Sequence, residues 1–242
     1  MTTQPMAPPP PPPPVPPAGG SRTIDFGRPF TYVFEDPRWL PKILIGGLMY
    51  LLGFLLIGFF FVAGYAARLA RNVAAGEVRP LPEWDQWGED FIDGLRIFGV
   101  VLVYYLPVIV IAILAFGGGF ALTALAADQG EAAAMAGSGF MSVGICLFYA
   151  LVLALMVILP AAILLVVMRQ SFAAGFDFAT IFRYIRENLA NYVLALAIYL
   201  ITGFIAQFGV ILLCIGALFT SFWALVATTY AFGEGYRYSR VK

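Results

Sequence analysis

Asp85, Glu89 and Asp93 follow one another at four-residue spacing, which on a helix would stack three carboxylates along one face. Hard divalent cations take oxygen ligands, so such a face is a candidate cation site. Like charges at this spacing also describe a plain solvated surface, and no convergent loop that would close a cage accompanies them. Beside them Trp84, Trp87, Phe91 and Leu95 recur at helical spacing, with Pro82 suited to a first turn and Glu83 and Asp85 to the positive end of a helix dipole. The stretch PLPEWDQWGEDFIDGLRIF is therefore expected to form a helix lying at the membrane interface. Its tryptophans suit anchoring at the headgroup level, with substrate stacking as the alternative.

A second segment, Asp177 to Tyr192, carries the opposite charge. Asp177 is placed to cap a helix by accepting from the backbone N–H of Ala179 or Thr180, and Phe178, Ile181, Phe182, Ile185 and Leu189 then share a face. Arg183 and Arg186 fall on the other side. They are expected to meet anionic lipid headgroups, or to pair with the carboxylates of the first segment, with Asn188 and Asn191 bridging to nearby backbone.

Little else in the chain can do chemistry. It contains no histidine, and its two cysteines, Cys146 and Cys214, sit in apolar runs where a thiol ordinarily behaves as a small buried hydrophobe. No catalytic set, metal centre or cofactor site is expected, because an acid–base or nucleophilic site needs titratable groups gathered in a cleft. A formal net charge of zero supplies no field to attract nucleic acid, so membrane lipids, a membrane-protein partner or a second copy of the chain are the expected partners.

The elements that would hold these segments are apolar helices. The stretches 43–67, 97–127, 132–168 and 188–233 contain no Asp, Glu, Lys or Arg, and the chain is 61% hydrophobic and 12% charged. A charge at the bilayer centre costs about 2.5–3.5 kcal/mol on insertion scales, so runs this clean mark a chain that lives in lipid. A span needs about 20 residues. The last run is then a hairpin turning near Gln207 to Gly216, and the second and third runs are one long helix each, with Gly117, Gly118 and Gly119 as a bend. The first run is one tilted helix or two short ones broken between Gly53 and Gly58. Basic residues cluster before and after the first run, at Arg169 to Arg186, and at the C-terminus, which puts those groups in the cytoplasm. The expected fold is an all-α polytopic bundle of about six membrane helices, five being the alternative, with two cytoplasmic interfacial helices and both termini cytoplasmic. Within the bundle Gly216, Thr220, Ala224 and Thr228 recur every four residues, the small-residue stripe that lets membrane helices approach, here assigned to packing within the chain rather than between copies. Intramembrane hydroxyls such as Thr123, Ser142 and Thr202 can bond their own helix, whereas Gln207 needs an outside partner or water.

Residues 1–28 are a Pro-rich tail with the run Pro8 to Pro14, suited to a polyproline II spacer or to docking on a Pro-binding module. Residues 29–236 form the membrane domain and 237–242 a short basic tail. A weak internal repeat shows as well: a membrane helix ends in basic residues, an aromatic-rich amphipathic segment follows, and another membrane helix leaves it.

FEDPRWLPKILIGGL, GYAARLARNVAAGE, PLPEWDQWGEDFIDGL and FDFATIFRYIRENLANYVLAL together resemble the prokaryotic integral membrane proteins grouped as domain-of-unknown-function family 4013, over about Phe26 to Tyr236. The resemblance implies a prokaryotic plasma membrane and a compact helical fold, and it transfers no catalytic residue. The expected role is a non-enzymatic membrane protein that packs with or scaffolds other membrane components, the alternative being a small-solute carrier or channel.

Overall fold

The computed structural model describes residues 23–125, 131–211 and 215–241. The Pro-rich run and Cys214 lie outside these residues. Among the described residues every regular element is a helix and there are no strands. A short helix α1 (Arg28–Thr31) and a 3-10 turn lead into α2 (Trp39–Leu52), and a second 3-10 turn at Gly53–Leu55 connects to α3 (Ile57–Ala75). There follow α4 (Trp87–Ala112), a π-helical segment (Ile113–Gly118), α5 (Gly119–Leu125), α6 (Glu131–Arg169), α7 (Phe178–Glu187), α8 (Leu189–Gln207) and α9 (Ile215–Tyr238).

Among the described residues four segments are long and apolar enough to cross a membrane: Trp87–Leu125, Gly137–Arg169, Leu189–Ile211 and Ile215–Tyr238. A bent pair, Arg28–Glu35 with Trp39–Leu55, brings the number to five if it is taken as one broken span. The expected count of six includes α2 and α3 as a short helical hairpin that enters and leaves on the same side. The first run does break where expected, with Leu56 closing the turn at φ 62°. Yet the 14 residues of α2 rise only about 21 Å against a hydrocarbon core of about 30 Å. The apolar part of α3 ends at Arg68, so this hairpin is shorter than a pair of full spans.

Glycines set how closely the helices meet. A Cβ at Gly64 would collide with the Asp90 carbonyl and one at Gly94 with the Phe60 carbonyl, so α3 and α4 touch backbone to backbone. Gly46 and Gly47 of α2 receive the rings of Phe222 and Phe219 from α9, and Gly58 lies against the Met49 carbonyl inside the first hairpin. The bend expected at Gly117 to Gly119 is the π segment, which re-aims α5 onto α6, where Gly119 meets Met141 and Gly144 meets Ala115. Pro160 interrupts the ladder of α6, and the Tyr192 hydroxyl donates to the Val157 carbonyl beside it.

The small-residue stripe of α9 faces α8. Thr220 Oγ1 donates to the Ala206 carbonyl at 2.9 Å, and the Thr228 and Thr202 hydroxyls bond at 2.9 Å. Ala224 is buried, while Gly216, Thr220 and Thr228 are half-buried. Thr123 and Ser142 bond their own helix as expected, and Gln207 stands exposed at the end of α8. Cys146 is exposed on α6, against the buried position expected of it.

The packed region also reaches past both expected domain boundaries. Ile24 is buried and its N–H donates to Asn191 Oδ1, while Val241 and Ser239 are buried beyond the end of α9. The N-terminal segment, the start of α8 and the end of α9 therefore meet at one end of the bundle, where Asn188 Nδ2 also donates to the Gly235 carbonyl at 2.9 Å.

Candidate functional site

The polar centre of the molecule is built at that end, around the stretch expected to be an interfacial helix. It is not one helix. α4 begins only at Trp87, and the residues from Gly76, a left-handed C-cap at φ 82°, to Gln86 form a non-helical strap. Pro80 and Pro82 remove backbone donors there, which leaves the carbonyls between them for side chains of α2 and α3. Asn72 Nδ2 donates to the Pro80 carbonyl at 2.9 Å, Lys42 Nζ to the Leu81 carbonyl at 3.0 Å, the Tyr65 hydroxyl to the Pro82 carbonyl at 2.8 Å and Arg68 Nη2 to the Glu83 carbonyl at 2.6 Å. In return Trp84 Nε1 donates to the Lys42 carbonyl at 3.0 Å, and its ring stacks on Tyr65 with centroids 4.2 Å apart.

Two buried cations anchor this strap. Lys42, 4% exposed, reaches Asp36 at 2.6 Å and Glu83 at 2.7 Å. Arg68, 8% exposed, makes a two-pronged contact with Asp90, Nε to Oδ1 and Nη2 to Oδ2, both at 2.8 Å, and also bonds Asp85 at 2.9 Å. Asp90 is wholly buried, so the pair has little water to share and depends on this fork geometry. One turn on, Asp93 takes Arg71 at 2.8 Å and Arg96 at 2.6 Å. Asp85 is held below the usual carboxylate range chiefly by its bond from Arg68. Burial pushes Asp36 up, but the Lys42 ammonium and the Arg38 N–H outweigh it, leaving its carboxyl below the ordinary value.

The expected ladder of carboxylates is thus dispersed. Asp85 lies off the helix on Arg68, Glu89 is exposed, and Asp93 is shared by two arginines, so no three oxygens converge. Trp84 and Trp87 do stack, with centroids 5.3 Å apart, but Trp84 leaves the face it was expected to share with Phe91 and Leu95 and turns inward to Tyr65 and Phe222. Asp90, Lys42, Tyr65 and Asn72 were not singled out from the sequence. The available signal was Asp90 itself, which falls in helical register with Gly94, Ile97 and Val100, the buried face of α4.

The second segment forms as expected at its start. Asp177 Oδ1 accepts from the Thr180 N–H at 3.1 Å, which together with the Thr180 hydroxyl holds its carboxyl below the ordinary value. The helix then breaks at Asn188, where φ is −120°, and α8 starts anew. Asn191 Nδ2 donates to Asn188 Oδ1, so the two asparagines do bridge to backbone as a linked pair. The expected pairing of Arg183 and Arg186 with Asp85, Glu89 and Asp93 is not made: Arg68, Arg71 and Arg96 hold Asp85 and Asp93, and α7 packs on α6 and α8. Both α7 arginines are exposed, as are Phe178, Phe182 and Leu189.

No curated protein and no solved structure matches the chain. A family profile does match, over residues 48–215, which takes in the α3 cations, the strap, the carboxylates of α4 and the whole of α7. The chain belongs to the family described as protein of unknown function DUF4013.

Proposed function

We propose that the chain is a non-enzymatic integral protein of the plasma membrane that packs with or scaffolds other membrane components. The observation that carries this is the division of labour between its strap end and its flanks. The charges at the strap end are spent holding helices to one another, while the outward faces of the long helices, at Leu106, Val143, Leu147, Leu153 and Phe204, are exposed and apolar. Such faces suit lipid or another membrane helix. The α2–α3 hairpin enters and returns on the strap side, and four full spans follow, so both termini lie on one side. The positive-inside rule makes that side cytoplasmic, and it sets Arg183 and Arg186 at the headgroup level with Phe178 and Phe182 dipping beneath.

Co-purification from native membranes tests the role. A stoichiometric membrane partner supports it, and recovery of the chain alone counts against it. Orientation is tested by single cysteines: one at Val78 should be shielded from an impermeant thiol reagent in intact cells, and one at Met135, before the span that starts at Gly137, should react. One observation favours a small-solute carrier as the second reading, namely a cavity of about 780 Å³ among the helices. Solute flux in liposomes holding the chain alone would select it.

A further inference from the structure

We propose that this cavity is a binding slot for one acyl chain of a bilayer phospholipid. It lies among α2, α3, α4, α6, α8 and α9. Its cause is local: α3 presents Ala63, Ala66, Ala67 and Ala70 where larger residues would have filled the space between it and α6. Both Phe59 and Ala70 line it, so the slot runs along α3 for a rise of about 16 Å.

Three properties specify the occupant. The volume of about 780 Å³ falls in the range of about 300–1,000 Å³ typical of ligand sites. No charged side chain lines it, and apolar cavities of even about 150 Å³ stay dry and take up hydrocarbon instead of water. Its lining also reaches an exposed residue at the hairpin tip. Phe54, 84% exposed, stands at the lining's edge on the tip of the α2–α3 hairpin, and because α2 is too short to cross, that tip ends inside the hydrocarbon layer. A straight, flexible hydrocarbon chain is what the surroundings supply at that depth.

The test uses the full chain in liposomes containing a phosphatidylcholine with a photoactivatable diazirine in its acyl chain, with adducts mapped by peptide. Adducts are expected at Ala66, Tyr105 and Met156 in the slot and at the outward-facing Phe204. Ala66→Phe, or Ala70→Phe should the first fail to fold, should reduce the slot adducts several-fold and leave those at Phe204 unchanged. Adducts confined to Phe204, or slot adducts indifferent to filling, overturn the proposal. So does rapid reaction of Ala66→Cys, in a background free of other cysteines, with a membrane-impermeant thiol reagent, because that outcome shows water in the slot. None of these readouts needs a protein partner, so the slot and the scaffold role stand or fall separately.

Discussion

The strap between α3 and α4 and the helix α7 between α6 and α8 occupy corresponding places in the weak sequence repeat, and they are held by opposite means. The strap has almost no regular structure and is fixed by charge, through Lys42, Arg68 and the buried Asp90. α7 is a regular helix fixed by its buried side, Thr180, Ile181 and Tyr184, with its two arginines turned outward. Charge number did not separate the two. Location did: Arg68 stands on the buried face of α3 within 2.8 Å of the buried Asp90, whereas Arg183 and Arg186 stand exposed on the outer side of α7. An aromatic, charged segment at a membrane surface can therefore be an internal fastener or an external contact, and the partner of each charge decides which.

The largest break in this comparison should come from Asp90→Ala. It leaves Arg68 buried without its main partner, a change that costs about 3–5 kcal/mol, and denaturant titration in mixed micelles should read it directly. A loss comparable to that at an exposed acid such as Glu89 would remove Asp90 from its anchoring role. Next, Gly94→Leu should cost about 1–3 kcal/mol or more, because it pushes α3 and α4 apart and stretches the same ion pair. Trp84→Phe keeps the stacking on Tyr65 but deletes the bond to the Lys42 carbonyl, and is expected to cost about 0.5–1.5 kcal/mol. Smaller still is the acid response. Asp36, Asp85 and Asp177 bind protons less readily folded than unfolded, so their contribution is fully present above the ordinary carboxylate value of 3.8 and fades as pH falls below it. A thermal-stability profile flat across that region would contradict the sign. The smallest effect sharpens the contrast from the other side. Glu89→Arg and Arg186→Glu should each change stability by less than about 0.5 kcal/mol and combine additively, while Arg183→Glu with Arg186→Glu should lower the anionic lipid that purifies with the chain.

The helical membrane fold was legible because charge-free runs and their lengths report burial in lipid without any knowledge of tertiary contacts. So were the break at Gly53, the Asp177 cap and the α9 stripe, each of which follows from neighbours close in sequence. The strap was not. Pro82 and the acidic residues after it satisfy the local rules for a helix start, and only Tyr65 and Arg68, brought in from α3, decide that the carbonyls of Pro82 and Glu83 serve as acceptors for side chains instead. The carboxylates failed as a set for the same reason: spacing along one helix reveals which residues share a face, but Arg68 and Arg71, which draw Asp85 and Asp93 apart, come from α3. The span count turned on length. Two short apolar helices add up to the same charge-free run as one long one, and the run does not record how far into the bilayer each reaches.

The short first hairpin also constrains the order in which the molecule can be assembled. Arg68 emerges from synthesis 22 residues before Asp90, and the glycine face of α2 waits for Phe219 and Phe222, which belong to the last helix. The hairpin therefore completes its contacts only when α4 supplies the counter-charge for Arg68 and α9 closes over the glycine face of α2. The element nearest the start of the bundle is thus the last to be completed, and a chain stopped short of α9 should leave it open to capture by insertion factors or proteases.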